Sequence, residues 1–202
     1  MMTITPRQSS IAWAREIMAD PRTVFLDTET TGIGPSAEIV DLAVVDVQGR
    51  TLIDTLVSAL GPIPAEATAV HGITDAMVAD APTFDDLYRY VRWLLDRRRV
   101  IIYNAEFDLR MIEQSLDPDG LAGAWLDPGV KAEALADCAM RQFAQFRGLP
   151  GRDLGDYRWH KLTDAVTHFG ITIAGSHRAL QDALLCRAVV AAMAEAEADA
   201  TD

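Results

Sequence analysis

The sequence predicts an α/β fold: a mixed five-stranded sheet that opens as a three-strand antiparallel meander, continues as parallel strands and is flanked by helices. Three observations carry this. The first part of the chain holds short apolar runs, two of them joined by a Gly-bearing connection. The later part alternates amphipathic helical patterns with further short apolar runs. Half of the 202 residues are hydrophobic, enough for an ordinary buried core.

Ser9 or Ser10 is placed to cap a short helix carrying Ile11, Ala14, Ile17 and Met18 on one face, and Asp20-Pro21 stops it. Residues 1–21 are therefore expected to form a helical extension packed on a domain spanning 22–194. Thr23–Thr28 has the short apolar run of a buried strand. Glu38–Val47 and Thr51–Val57 read as two further strands joined through Gln48-Gly49-Arg50, a hairpin signal. A loop with Pro62 and Pro64 runs on through Ala69-Val70-His71-Gly72-Ile73-Thr74. Thr83 caps an amphipathic helix reaching Arg98, with Leu87, Tyr90, Val91, Leu94 and Leu95 as its apolar stripe. Val100–Tyr103 is a buried strand, followed by a helix from about Ala105 to Leu116 that Asp117-Pro118 closes. After a loop at Asp127-Pro128-Gly129, Ala134–Ala136 is the last strand and Cys138–Arg147 a helix. A Gly- and Pro-bearing loop occupies Gly148 to about Trp159. Helices at Leu162–Phe169 and about His177–Ala194 precede an acidic, Ala-rich tail at 195–202.

Thirty acids against 18 bases leave a net charge of −12 and a pI near 4.6. This excludes a polybasic binder whose affinity rests on a basic surface, but not an enzyme that holds cations between carboxylates. Cys138 and Cys186 can build no disulfide framework. No apolar run approaches the roughly 18 residues of a membrane span, and Met1–Asp20 lacks a signal-peptide pattern. A cytoplasmic protein without membrane contact is expected.

Three groups of residues could carry chemistry. Asp27-Thr28-Glu29 ends the first strand, where alternation points both carboxylates to one side. Two such charges on an apolar strand repel unless something positive lies between them, and a divalent metal meets that need. Asn104-Ala105-Glu106-Phe107-Asp108 sits at a strand-to-helix junction, where open α/β sheets place their sites. His177 and Asp182 are five apart, roughly on one side of a helix. Each group alone is as readily a cap, a turn or a solvated face as a site. Their ordered combination is specific.

Over about Thr23 to Met193 the sequence resembles the DnaQ-like 3′→5′ exonucleases of the DEDDh type, through Asp27-x-Glu29, Asn104-x-x-Phe107-Asp108 and His177-x4-Asp182. It is similar to the proofreading epsilon subunit of bacterial DNA polymerase III and its stand-alone homologues. The resemblance also takes in Glu66-x4-His71-Gly72-Ile73-Thr74, Leu135-Ala136-Asp137, and Leu162 through Phe169-Gly170-Ile171. It implies a ribonuclease H-like sheet and a phosphodiester hydrolase that releases nucleoside 5′-monophosphates. It further implies two divalent metal ions, Mg²⁺ or Mn²⁺, held by Asp27, Glu29, Asp108 and Asp182, with Asp27 bridging and His177 as general base.

The same resemblance implies substrate contacts from Thr28, Thr30 and Gly32, an apolar wedge at Ile33, and terminal-nucleotide contacts from Glu66 and His71. Asn104 and Phe107 match pocket-lining positions, while Tyr103 stands where a His often precedes the Asn. Arg147, Arg152, Arg158 and Lys161, interleaved with Tyr157 and Trp159, could guide single-stranded nucleic acid or be ordinary surface. The implied partner is nucleic acid, DNA in preference to RNA, with a DNA polymerase or a repair protein as a further partner. The chain ends soon after the His177 helix, which favours a stand-alone or weakly associated enzyme. Two rival readings are weaker. A haloacid-dehalogenase-like phosphatase needs a second Asp at Glu29 and a late catalytic Lys, with only Lys131 and Lys161 present. A non-catalytic polymerase-associated subunit would leave an intact ligand set unused.

Overall fold

The structure is a computed structural model and describes residues 4–116, 136–152, 156–172 and 177–197. Five strands make one sheet in the order β3-β2-β1-β4-β5: β1 (Thr23–Thr30), β2 (Ile39–Asp46), β3 (Thr51–Leu56), β4 (Arg99–Ile102) and β5 (Asp137–Cys138). β1, β2 and β3 pair antiparallel, and β4 and β5 add in parallel on the other side of β1. The expected meander followed by parallel strands is what forms. The hairpin turns where Asp46 Oδ1 accepts from the backbone N–H of Gln48 and Arg50, with Gly49 at φ 83 supplying the left-handed residue.

Alternation along the strands divides the core. Val24, Leu26, Leu42, Val44 and Ile102 face one layer, built by α4 (Phe84–Leu95) and α5 (Ala105–Gln114). Phe25, Val45 and Ile101 face the other, built by α1 (Pro6–Ala19), α6 (Ala139–Arg147), α7 (Leu162–His168) and α8 (Ala179–Glu195). Ile11, Ala14 and Ile17 of α1 are buried within that second layer beside Leu185, Val189 and Met193 of α8. The N-terminal helix is thus part of the packing over β1. Among the described residues, no helix is long and apolar enough to cross a membrane.

Several expectations need correction. α1 begins at Pro6, capped by Thr5 in a capping box with Gln8, so Ser10 lies buried inside the helix. A proline at the first helical position next to a reciprocal cap fixes the start earlier than a serine can. The expected loop after Pro64 contains α2 (Ala65–His71) and α3 (Asp75–Val78), too short to show a helical period. On α4 the buried tyrosine is Tyr88, while Tyr90 is exposed and stacks on Trp93 at 5.8 Å. That helix stops at Leu95, where Asp96 turns extended and Arg97 takes φ 58. The last strand is Asp137–Cys138, one residue beyond Ala136; Ala134 and Leu135 lie outside the described residues, as do Asp127-Pro128-Gly129 and most of the tail. α8 begins at Ala179, leaving His177 ahead of the helix with φ 62.

Candidate active site

β1 runs out of its apolar stretch at Leu26, and the period of two then decides what each polar residue meets. Asp27 and Glu29 continue the face of Phe25, beneath α8. There a carboxylate oxygen from each of Asp27, Glu29 and Asp182 lies within 4.8 Å of the other two. Thr28 continues the face of Leu26, beneath α5. Its hydroxyl donates to Asp108 Oδ1 at 2.8 Å and its backbone N–H to the same oxygen at 3.2 Å. The four carboxylates therefore converge on one strand end from opposite faces of the sheet, three as a cluster and Asp108 held beside it.

The electrostatics are those of charges crowded in a poorly hydrated place. Burial, and then the negative charges of Asp108, Asp182, Glu29 and Asp41, hold Asp27 well above the usual carboxylate range. Burial followed by Asp182, Asp41 and Asp108 pushes Glu29 up to about 8, with Arg178 opposing. Asp108 rises to about 7 through burial, against the lowering effect of the Thr28 hydrogen bonds. Burial raises Asp182 too, while the His177 charge and a backbone hydrogen bond from His177 pull it down. Among the described residues, Asp27, Glu29 and Asp182 make no salt bridge. Hard oxygen donors, mutual repulsion and a common focus fit a divalent cation.

α8 is fastened to the sheet by a pair that the sequence reading missed. Asp41 on β2, directly across the register from Glu29, is fully buried. Its Oδ2 accepts from Arg178 Nε at 2.7 Å and from the Ala179 backbone N–H at 3.2 Å. One carboxylate thus neutralises Arg178 and caps the start of α8. His177, immediately before Arg178 and in the left-handed region, takes its position from that anchor, and Asp182 one turn on takes its own. The signal was legible: Asp41 is the lone charge inside Ile39–Val45, a run buried at every position. The expected helical register of His177 with Asp182 is replaced by this loop-to-helix junction, because Asp41 starts the helix after His177.

The other expected site residues lie around the same strand end. Thr30 is buried, with its hydroxyl donating to the Gly32 carbonyl at 2.7 Å. A Cβ at Gly32 would meet no atom within 4 Å, so the backbone there borders open space. Ile33 is 80% exposed, far from the usual state of an isoleucine. His71 is buried; its Nδ1 accepts from Ile73 N–H at 3.0 Å, which leaves Nε2–H to donate to the Thr30 carbonyl at 3.3 Å. That neutral ring staples α2 to the end of β1, and burial lowers its pKa. Glu66 is exposed on α2. Asn104 is exposed at the N-cap of α5 with its side chain uncommitted to the cap, and Phe107 is half-buried beneath Arg110, 5.6 Å from ring centre to guanidinium.

Comparison with known proteins agrees with this architecture. The profile of the RNase_T exonuclease family matches residues 24–190. The uncharacterized exonuclease CP81 of Escherichia phage 186 is 43% identical over 183 residues, covering 90% of this chain and 92% of the phage protein. A DNA polymerase III subunit epsilon-like protein of Rhodobacter capsulatus is 37% identical over 79% of this chain, which spans only 22% of that longer protein. In fold, the chain is similar to E. coli exonuclease I solved with a dA16 oligonucleotide, at TM-score 0.62 and 15% identity over 82% of this chain and 39% of that one. The sheet is of the ribonuclease H-like kind, and the chain belongs to the RNase_T exonuclease family.

Proposed function

We propose that this exonuclease removes nucleotides from the 3′ end of nucleic acid, DNA in preference to RNA, releasing nucleoside 5′-monophosphates. The observation that carries the reading is the convergence of Asp27, Glu29 and Asp182 within 4.8 Å, with Asp108 held beside them by Thr28. Asp27, Glu29, Asp108 and Asp182 would hold two divalent ions, Mg²⁺ or Mn²⁺. Bound there, such ions lower the pKa of the attacking water and stabilise the leaving 3′ oxygen. His177 accepts the proton of that water as general base, a task suited to an exposed imidazole outside the rigid helix. Asp41 and Arg178 keep His177 and Asp182 in register with the strand.

The open backbone at Gly32, the exposed Ile33 and Asn104, and the half-buried Phe107 would receive the terminal nucleotide. Thr28 would act on it only indirectly, its N–H and hydroxyl being engaged by Asp108. Glu66 and the outer edge of His71 would approach the sugar. The name of the Rhodobacter relative supports DNA as substrate and a DNA polymerase as partner; a repair partner and a cytoplasmic setting belong to the same proposal.

Digestion of a 5′-labelled oligonucleotide tests this, comparing single-stranded DNA, a mismatched 3′ end, matched duplex and RNA with Mg²⁺, Mn²⁺ or EDTA. A metal-dependent ladder that shortens from the 3′ end and vanishes in His177→Ala is expected. Shortening from the other end, or a ladder that persists in EDTA, would overturn the assignment.

A further inference from the structure

We propose that the groove between α6 and residues 150–152 and 156–159 is a second binding site, which holds single-stranded nucleic acid on the 5′ side of the nucleotide being removed. The proposal rests on the exonuclease reading above. The groove is a cavity of about 940 Å³ whose walls include Arg141 on one side and Arg152, Asp156, Tyr157, Arg158 and Trp159 on the other. In a chain of net charge −12, three arginines stand against one aspartate among the described lining residues. Among the described residues Arg152 and Arg158 make no salt bridge, and Arg141 has only an exposed contact with Glu106 at 3.5 Å, one that a phosphate can displace. Trp159 is 62% exposed, a large aromatic face turned to solvent beside cations. Phosphate contacts together with a stacking platform are what a single strand needs, whereas an acidic protein segment would use the arginines and leave the indole idle.

The groove is built and fastened. Gly151 N–H donates to the Asp156 carbonyl at 2.8 Å and Arg158 N–H to the Leu149 carbonyl at 2.9 Å, with Pro150 and Tyr157 bridged between them. A Cβ on Gly151 would sit 3.0 Å from Asp156 Cβ and 3.1 Å from its carbonyl, so a side chain there would oblige Asp156 to give by a few tenths of an ångström. Tyr103, the residue before Asn104, donates its buried hydroxyl to the carbonyls of His160 and Lys161, each at 3.1 Å. Arg141 also lines a smaller cavity of about 190 Å³ with Ala105 and Glu106, at the start of the helix that carries Asp108. The groove is thereby tied at one end to the strand-to-helix junction of the active site.

The test separates binding from cleavage. Binding of 5′-fluorescein oligothymidylates of three and twelve residues is followed by anisotropy in EDTA, where hydrolysis is stopped and the bare carboxylates repel phosphate. The wild type is expected to hold the longer strand at least about tenfold more tightly. Arg141→Gln/Arg158→Gln should remove that advantage and reduce the log–log salt slope by about 1.4, two phosphate contacts at about 0.7 each. Trp159→Ala should weaken the longer strand about fivefold or more. All variants should hydrolyse thymidine 5′-(p-nitrophenyl phosphate), too small to reach the groove, within about twofold of wild type. Unchanged affinity and slope in the double variant would overturn the groove, as would equal losses for both lengths or for the nitrophenyl ester. Displacement of the strand by oligoglutamate as readily as by unlabelled oligothymidylate would also overturn it, in favour of a protein partner. If the wild type cleaves nothing yet the length and salt pattern holds, the exonuclease reading falls and the groove stands.

Discussion

The two faces of β1 treat a buried carboxylate in opposite ways. On the α5 face, Asp108 is 3% exposed and receives two hydrogen bonds from Thr28. On the α8 face, Asp27, Glu29 and Asp182 are gathered without a salt bridge among the described residues, and only the charges of Arg178 and His177 oppose the crowding. One face spends its polar groups on preorganisation; the other keeps them unsatisfied and aimed at a common point. A site that must hold a cation firmly yet arrange it accurately needs both, and the pleat of a single strand separates the two tasks by one residue.

The largest effect expected from breaking this contrast is on hydrolysis. Asp27→Ala, Asp182→Ala and Asp108→Ala should each reduce oligonucleotide cleavage by about a thousandfold or more, since removing any ligand of the proposed two-ion site would disable it. Thermal melts without metal should separate the faces. Asp27→Ala relieves repulsion and should leave the melting temperature unchanged or higher. Asp108→Ala strands the Thr28 N–H and hydroxyl and should cost about 1–3 kcal/mol. Equal melting of the two variants would erase the contrast.

Cation binding should come next. Mn²⁺ or Mg²⁺ at about 100 times its Kd should stabilise the wild type by about 2.7 kcal/mol and leave Asp27→Ala/Glu29→Ala/Asp182→Ala unmoved; calorimetric melts read this directly. A smaller effect concerns protons. The folded, metal-free state binds them more tightly than the unfolded chain, since Glu29 stands at about 8 and Asp108 at about 7. The sign is therefore the reverse of ordinary acid denaturation. The contribution of these two groups to stability is fullest below the usual carboxylate values and is lost as pH rises towards 8. Denaturant midpoints between pH 5 and pH 8 in EDTA should fall, and less so in Glu29→Gln. A rising midpoint would contradict the crowding described above.

The smallest expected change is in Asp41→Asn, which keeps an acceptor for Ala179 but discharges the partner of Arg178. Cleavage should drop about tenfold in kcat with KM nearly unchanged, because His177 loses its fixed position and the nucleotide pocket does not. A KM effect alone would assign the pair to substrate binding instead.

Most of the architecture was legible in the sequence because the strands are short, apolar and punctuated by Gly49, Pro21 and the caps at Thr83 and Asn104. The three motifs of the resemblance gave the site residues by number. What escaped had physical reasons. α2 and α3 are shorter than the period that reveals a helix. α4 starts at the expected Thr83 cap and buries Val91, Leu94 and Leu95 as expected, but Tyr88, four residues after the buried Phe84, completes the stripe in place of Tyr90. Asp41 was visible as a charge in a buried run, but its partner lies 137 residues away, and no local pattern connects them. His71 was expected in a loop but ends α2, and its use of both ring nitrogens on backbone groups is a property of the folded chain.

That distance between Asp41 and Arg178 has a kinetic meaning. Carboxylates at 27, 29, 108 and 182 come together only after a long loop of the chain has closed, so the cation site forms late. A cation cannot then template early folding. It should leave the refolding rate almost untouched and slow unfolding, since its contacts are absent from the transition state. A chain still emerging lacks both Asp182 and the Leu185, Val189 and Met193 share of the core, and cutting begins only when the last helix locks down.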